Sequence, residues 1–196
     1  MTRAVDQWEE LLDPVLVQSK LLSASMYITA HEILKNSIIE RVRDFYSDQW
    51  DEDGSHTGQN YQMAVVSRNS SLLYASLSWL KDIEAINDTD LANFEVLKKT
   101  RNNLAHRLHA VVVEGKTSDH IERFVELIAL LRKIEVWWIV NVELPTNPDY
   151  DSAEIDEEKI VPGPVLMLQM LIEVASGNTD LLNHYRNAVK STDKEA

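Results

Sequence analysis

In the stretch KKTRNNLAHRLHAVV, residues 98–112, one arginine and two histidines lie close together. Arg101 is a permanent cation with several hydrogen-bond donors, and His106 and His109 carry imidazoles that titrate near neutrality. Such groups can converge on one ligand, bind its charge and move its protons. A metal site is a poorer fit. His106 and His109 stand three apart, but no neighbouring carboxylate completes a ligand set. The chain has no glycine-rich phosphate loop, and spacing identifies no serine–histidine–acid arrangement.

The segment that must position these groups reads as a helix. Leu91, Phe94, Leu97, Arg101, Leu104, Leu108 and Val111 step by threes and fours, the inward stripe of a packed helix, with Ala105 and Val112 widening it. Arg101 therefore occupies a position where an aliphatic residue is expected. A buried guanidinium without a counter-charge is strongly destabilising, so Arg101 must reach either an acid or a wet cleft. Asp82 or Glu84 on the preceding helix is the bland partner. Asn102, His106 and His109 share a polar face beside the stripe. Arg101 is about 140° around an ideal helix from His106. The two meet only if the arginine bends round the helix edge or a second copy of the helix supplies the missing side.

Around this helix the pattern predicts a bundle. A first helix spans about 14–47, capped by Asp13 and started by Pro14, with Leu16, Leu21, Met26, Ile33 and Ile38 on helical spacing. Residues 47–60 read as a loop. A second helix covers about 61–86, with Met63, Val66, Leu73, Leu77 and Leu80 inward. The run 87–90 caps the third helix, about 90–112, and Gly115 and Ser118 mark a break before a fourth, about 118–142. An acidic connector, 145–158, leads to helices at about 164–175 and 179–190, and STDKEA should fray. Arg68 and Asn69 read as surface or capping residues, and Arg41 and Arg43 as basic residues suited to a helix C-terminus. One of Trp137 and Trp138 should be core and the other available to an interface. His31, His56, His120 and His184 form no constellation.

The class is all-α: of 196 residues only five are Gly and five Pro, and helix formers dominate. No cysteine is present, which removes disulfides and thiolate metal sites and suits a reducing compartment. MTRAVDQWEELLDP is not a secretory signal, and no segment supplies the ~20 apolar residues of a membrane helix, so a cytoplasmic protein without membrane contact is expected. The net charge is −13, which repels nucleic acid unless a local basic cleft, a dimer groove or a basic partner offsets it.

The run Arg101-Asn102-Asn103-Leu104-Ala105-His106 resembles the signature of the HEPN superfamily, an arginine, a polar residue and, a few positions on, a histidine. The resemblance covers about residues 14–142, and the motif's place, on a helix after two long ones, agrees with that family. A tyrosine two positions beyond the histidine marks one toxin subgroup. Here that position is Leu108, so the tyrosine-modified mode with a nucleotidyltransferase antitoxin is not supported.

The resemblance implies an antiparallel bundle of the HEPN type, placed at 1–144, while the sequence pattern itself makes 145–196 an acidic connector and C-terminal helices packing on the bundle. It implies a homodimer that cleaves RNA, tRNA among the candidates, without metal or cofactor, as a toxin or phage-defence effector. An antitoxin or regulatory protein would be a further partner. Arg101 would clamp the phosphate, Asn102 orient it or the imidazole, and His106 transfer protons, with His109 an accessory carrier. The rival expectation is a non-catalytic all-α interaction module, which the net charge favours through a basic protein partner.

Overall fold

A computed structural model describes residues 11–51, 54–113, 119–148, 155–178 and 180–192. Helix α1, Pro14–Phe45, begins where expected. The Asp13 carboxylate accepts from the Val15 and Leu16 amides at 2.9 and 3.2 Å, and Pro14 takes the first position, where no N–H is needed. Its buried face is Ala24, Tyr27, Ala30, His31, Leu34, Ile38 and Val42. Leu16 and Leu21, which fall on helical spacing in the sequence, are exposed. The alanines, Tyr27 and His31 of the true face carry too weak an apolar signal to mark it.

The expected loop over 47–60 is a correction. Strands β1, Ser47–Asp51, and β2, Gly54–Thr57, pair antiparallel, with Asp51 opposite Gly54. Turn-forming residues hid a hairpin whose ladder satisfies backbone groups that a loop leaves to water.

The single helix expected over 61–86 is also broken. It divides into α2, Gln59–Ala64, a 3-10 turn at Val66–Arg68, and α3, Leu72–Asp82. Asn69 is extended and its side-chain oxygen accepts from the Ser71 amide at 2.9 Å. The polar run 67–71 thus gives the backbone a local alternative to the helix. Met63, expected inward, is exposed, whereas Leu77 and Leu80 are core.

Helix α4, Asp88–Val112, starts with a complete capping box between Asn87 and Asp90. Helix α5, His120–Trp138, continues into a π-helical turn, Ile139–Glu143, and a last turn at Leu144–Thr146. The widening falls just ahead of Pro145, which has no N–H to give, and the Asn141 side chain donates to the Trp137 carbonyl at 2.9 Å. Helix α6 is Gly163–Ala175 and α7 is Asp180–Thr192. The break at Gly115 and Ser118, residues 149–154 of the connector, the first ten residues and the last four lie outside the described residues.

Helices α1, α4 and α5 pack on one another around Tyr27, Leu34, Phe94, Leu97, Leu127 and Leu131. α4 runs antiparallel to both neighbours, since His31 meets Phe94, Tyr27 meets Leu97, and Lys133 meets Asp90. α1 and α5 are parallel: Ser23 contacts His120, Tyr27 contacts Phe124, and Ser37 contacts Glu135. Only consecutive long helices alternate in direction, so the bundle is not antiparallel throughout. α6 packs against α1 and α5, and α7 against α6. Among the described residues no helix is long and apolar enough to cross a membrane.

Candidate functional site

Arg101 stands at the edge of the α4 core face, its side chain 31% exposed, while Thr100 and Leu104 take the buried places. Its acid is neither Asp82, which pairs with Arg68, nor Glu84, which sits in a turn at φ 61°. The partner is Glu32 on α1, with Arg101 Nη2 2.7 Å from Glu32 Oε1. Arg101 Nη1 donates to Asn102 Oδ1 at 3.2 Å. Lys35 also holds Glu32, at 3.1 Å. Burial opposes charge on Glu32, but the hydrogen bonds from Lys35 and Arg101 outweigh it and hold its carboxyl below the ordinary value. Both partners of the Arg101–Glu32 pair are about a third exposed, so the pair stabilises the fold by no more than about 1 kcal/mol. It holds a guanidinium at the surface without locking it away.

His106 is exposed, as are Ala105 and Arg107 on either side. Ala105, expected to widen the core stripe, does not contribute to it. Arg107 departs from helical geometry, with φ −125° and ψ 21°, and this kink falls between His106 and His109. The polar face expected to unite Asn102, His106 and His109 is therefore interrupted after His106. Arg101, Asn102 and Glu32 are brought together. Among the described residues no hydrogen bond joins His106 to Arg101, and about 7.5 Å of helix rise separates them.

The charge around the motif differs from that of the chain as a whole. From Val96 to Val113 there is no carboxylate, and Lys98, Lys99, Arg101 and Arg107 are all basic. Lys99 and Arg107 are exposed, and Lys98 lies 4.6 Å over the Tyr74 ring. In a protein of net charge −13 this run of the chain is basic, although its cations are spread around α4. Glu32 of α1 lies on Arg101, and Tyr74, which holds Lys98, also donates to Glu95.

Sequence reasoning assigned nothing to His31, yet it packs beside this cluster. It is 3% exposed, its ring 5.9 Å from that of Phe94, and neither ring nitrogen has a hydrogen-bond partner among the described residues. Burial, reinforced by Arg101, Lys35 and Lys98 against the pull of Glu32, lowers its pKa from about 6.5 to about 4. The unfolded chain then binds the extra proton first. Stability is full above about pH 6.5 and falls as the pH drops toward 4, by up to about 3 kcal/mol in total. Chemical denaturation at several pH values should show this slope, and His31→Leu should flatten it at little cost near pH 7. The missed signal was positional: Tyr27, His31 and Leu34 share the buried face of α1.

A second polar cluster ties α1 to α5. Glu135 is 1% exposed and accepts from Arg41 at 2.6 Å (Nη2) and 3.2 Å (Nε), and from the Ser37 hydroxyl. Arg41 Nη1 also reaches Glu143 at 2.6 Å. Arg41 therefore answers a buried acid, a stronger demand than the helix dipole expected for it. Among the described residues, no three His, Asp or Glu side chains are grouped to hold a metal.

The chain matches no family model, no curated protein and no solved structure. The functional reading therefore stands on the residues themselves.

Proposed function

We propose that the protein is a metal-independent endoribonuclease of the HEPN kind, working as a homodimer in which two copies of the α4 motif face one cleft. The observation that carries this reading is the basic sequence run 96–113, on which Arg101 is held partly exposed by Glu32 and Asn102 and His106 is open to solvent. RNA brings its own nucleophile. The 2′-oxygen attacks phosphorus, its proton leaves to a base, and the bond to the 5′-oxygen breaks as that oxygen takes a proton. The products carry a 2′,3′-cyclic phosphate and a 5′-hydroxyl.

His106 serves one of the two proton transfers, and its counterpart across the dimer axis serves the other. Arg101 grips the phosphate through the fork that now faces Glu32 and stabilises the extra charge of the transition state. Glu32 orients the guanidinium until the phosphate displaces it. Asn102 supports that fork, and His109, beyond the kink, is accessory. The test is incubation of the purified protein with tRNA in the presence of chelator. Fragments ending in cyclic phosphate are expected, and intact RNA under all ionic strengths would reject the reading. The resemblance to the HEPN signature extends this proposal to a toxin or phage-defence role controlled by a regulatory protein.

A non-catalytic interaction module is the second reading. It is favoured by exposed apolar side chains away from the motif, Val15 on α1, Ile121 and Val125 on α5 and Ile172 on α6.

A further inference from the structure

A cavity of about 340 Å³, a size that suits a small molecule, lies between α5, the turn that joins α3 to α4, and the acidic connector. Arg132, Lys133 and Trp137 of α5, Asn141 of the π-helical turn, Glu84 of the α3–α4 turn and Glu157 of the connector line it. Trp137 is the member of the tryptophan pair that the core leaves over: Trp138 is buried, whereas Trp137 is only half-buried.

The two cations on this lining are already engaged. Arg132 Nη2 donates to the carbonyls of Glu157, Glu158 and Ile160 at 2.7, 3.1 and 3.3 Å, and Lys133 Nζ lies 2.5 Å from the Asp90 carboxylate. The two carboxylates are not engaged. Among the described residues, neither Glu84 nor Glu157 has a side-chain hydrogen bond or ion pair. The Asn141 amide nitrogen donates to the Trp137 carbonyl at 2.9 Å, which leaves its side-chain oxygen as an acceptor. The unmet demand at this cavity is therefore for positive charge and hydrogen-bond donors, beside an indole whose face attracts cations. With Asp90 counted, three carboxylates stand against two cations, so an anion would be repelled.

Glu84 is also held at a cost. Its φ is 61°, the left-handed region that favours glycine. Its amide donates to the Lys81 carbonyl and the Ala85 amide to the Leu80 carbonyl, both at 3.0 Å, so the turn closes the C-terminus of α3, where glycine is the usual occupant. A carboxylate kept in a strained conformation at the edge of a cavity fits a side chain with a role beyond folding. We propose that this cavity binds a small organic cation, a guanidine or primary amine on a short apolar stem, whose charge is met by Glu84 and Glu157 and whose stem lies against Trp137.

The probe is butylguanidine, with butylurea as a neutral control of the same shape and butyrate as an anionic one. Titrations are followed through the tryptophan indole N–H resonances, with Trp137 assigned by its loss in Trp137→Leu. At physiological salt, butylguanidine should bind at least about tenfold more tightly than butylurea and move the Trp137 resonance most, and butyrate should not bind. Glu84→Gln should weaken butylguanidine binding at least about threefold and leave the melting temperature unchanged. Glu84→Gly should weaken binding as much yet raise the melting temperature by about 2–4 °C, because charge and strain are removed together. Equal affinity for butylurea, or full affinity in both Glu84 variants, overturns the proposal. An arginine-bearing peptide that binds at least about tenfold more tightly than butylguanidine also overturns it, by assigning the cavity to a partner protein's side chain. The lining shares no residue with Arg101, Asn102, Glu32 or His106, so RNA cleavage should persist in the Glu84 variants, and the two readings fail separately.

Discussion

Replacing His106 with alanine should slow RNA cleavage by about 100-fold or more, the usual worth of a positioned proton carrier. Arg101→Ala should cost about 100-fold to 1,000-fold, because it removes the charge and the fork that meet the phosphate in the transition state. Arg101→Lys should recover only part of this, since an ammonium keeps the charge and loses the bidentate geometry. The fold should survive all three changes. His106 is exposed, and the Arg101–Glu32 pair, about a third exposed on both sides, contributes at most about 1 kcal/mol. Rates are measured on one RNA with and without chelator, and chelator should make no difference. The rate should fall with salt, because the cations of 96–113 displace counterions from the RNA phosphates and salt opposes that release. Cleavage at the wild-type rate in both alanine variants would take these residues out of the chemistry.

The largest effect on stability is expected at Arg41. Changing it to methionine keeps much of the side chain's length but leaves Glu135, 1% exposed, as a buried carboxylate whose remaining partner is the Ser37 hydroxyl. Breaking one side of a buried pair commonly costs about 3–5 kcal/mol. Arg41 is itself about a third exposed, so water reaches part of the pair, and the lower end, about 3 kcal/mol, is expected. For a domain of this size that lowers the melting temperature by roughly 6–12 °C. The double variant Arg41→Met, Glu135→Leu should regain most of the stability, because an apolar side chain there demands no counter-charge. Denaturant melts of the two single variants and the double variant form the required cycle. A loss below about 1 kcal/mol in Arg41→Met would show that solvent already screens the pair.

The helical elements were legible wherever local chemistry states them. Asp13-Pro14 and Asn87 with Asp90 cap their helices through neighbours in the chain, and the Phe94–Leu97–Leu104 stripe announces a buried face. Legibility failed where the signal was shared. The residues of 47–60 suit a loop and a hairpin equally. The polar run 67–71 broke a helix that periodicity alone would have continued. At the candidate site, Arg101, Asn102 and His106 could be singled out by type and spacing. The kink at Arg107 could not, and it separates His106 from His109 on the face they were expected to share.

What the sequence determined by itself was therefore the helical class, the caps, and the presence of an arginine where a core residue belonged. Only the packing of α1 against α4 and α5 decided which acid answers each cation: Glu32 for Arg101, 69 residues away, and Glu135 for Arg41, 94 residues away. A capping residue acts on amides two or three positions along, so its effect is written in the local chain. An ion pair between helices depends on how those helices cross and how deeply each end is buried, and residues so far apart in sequence carry no local mark of meeting.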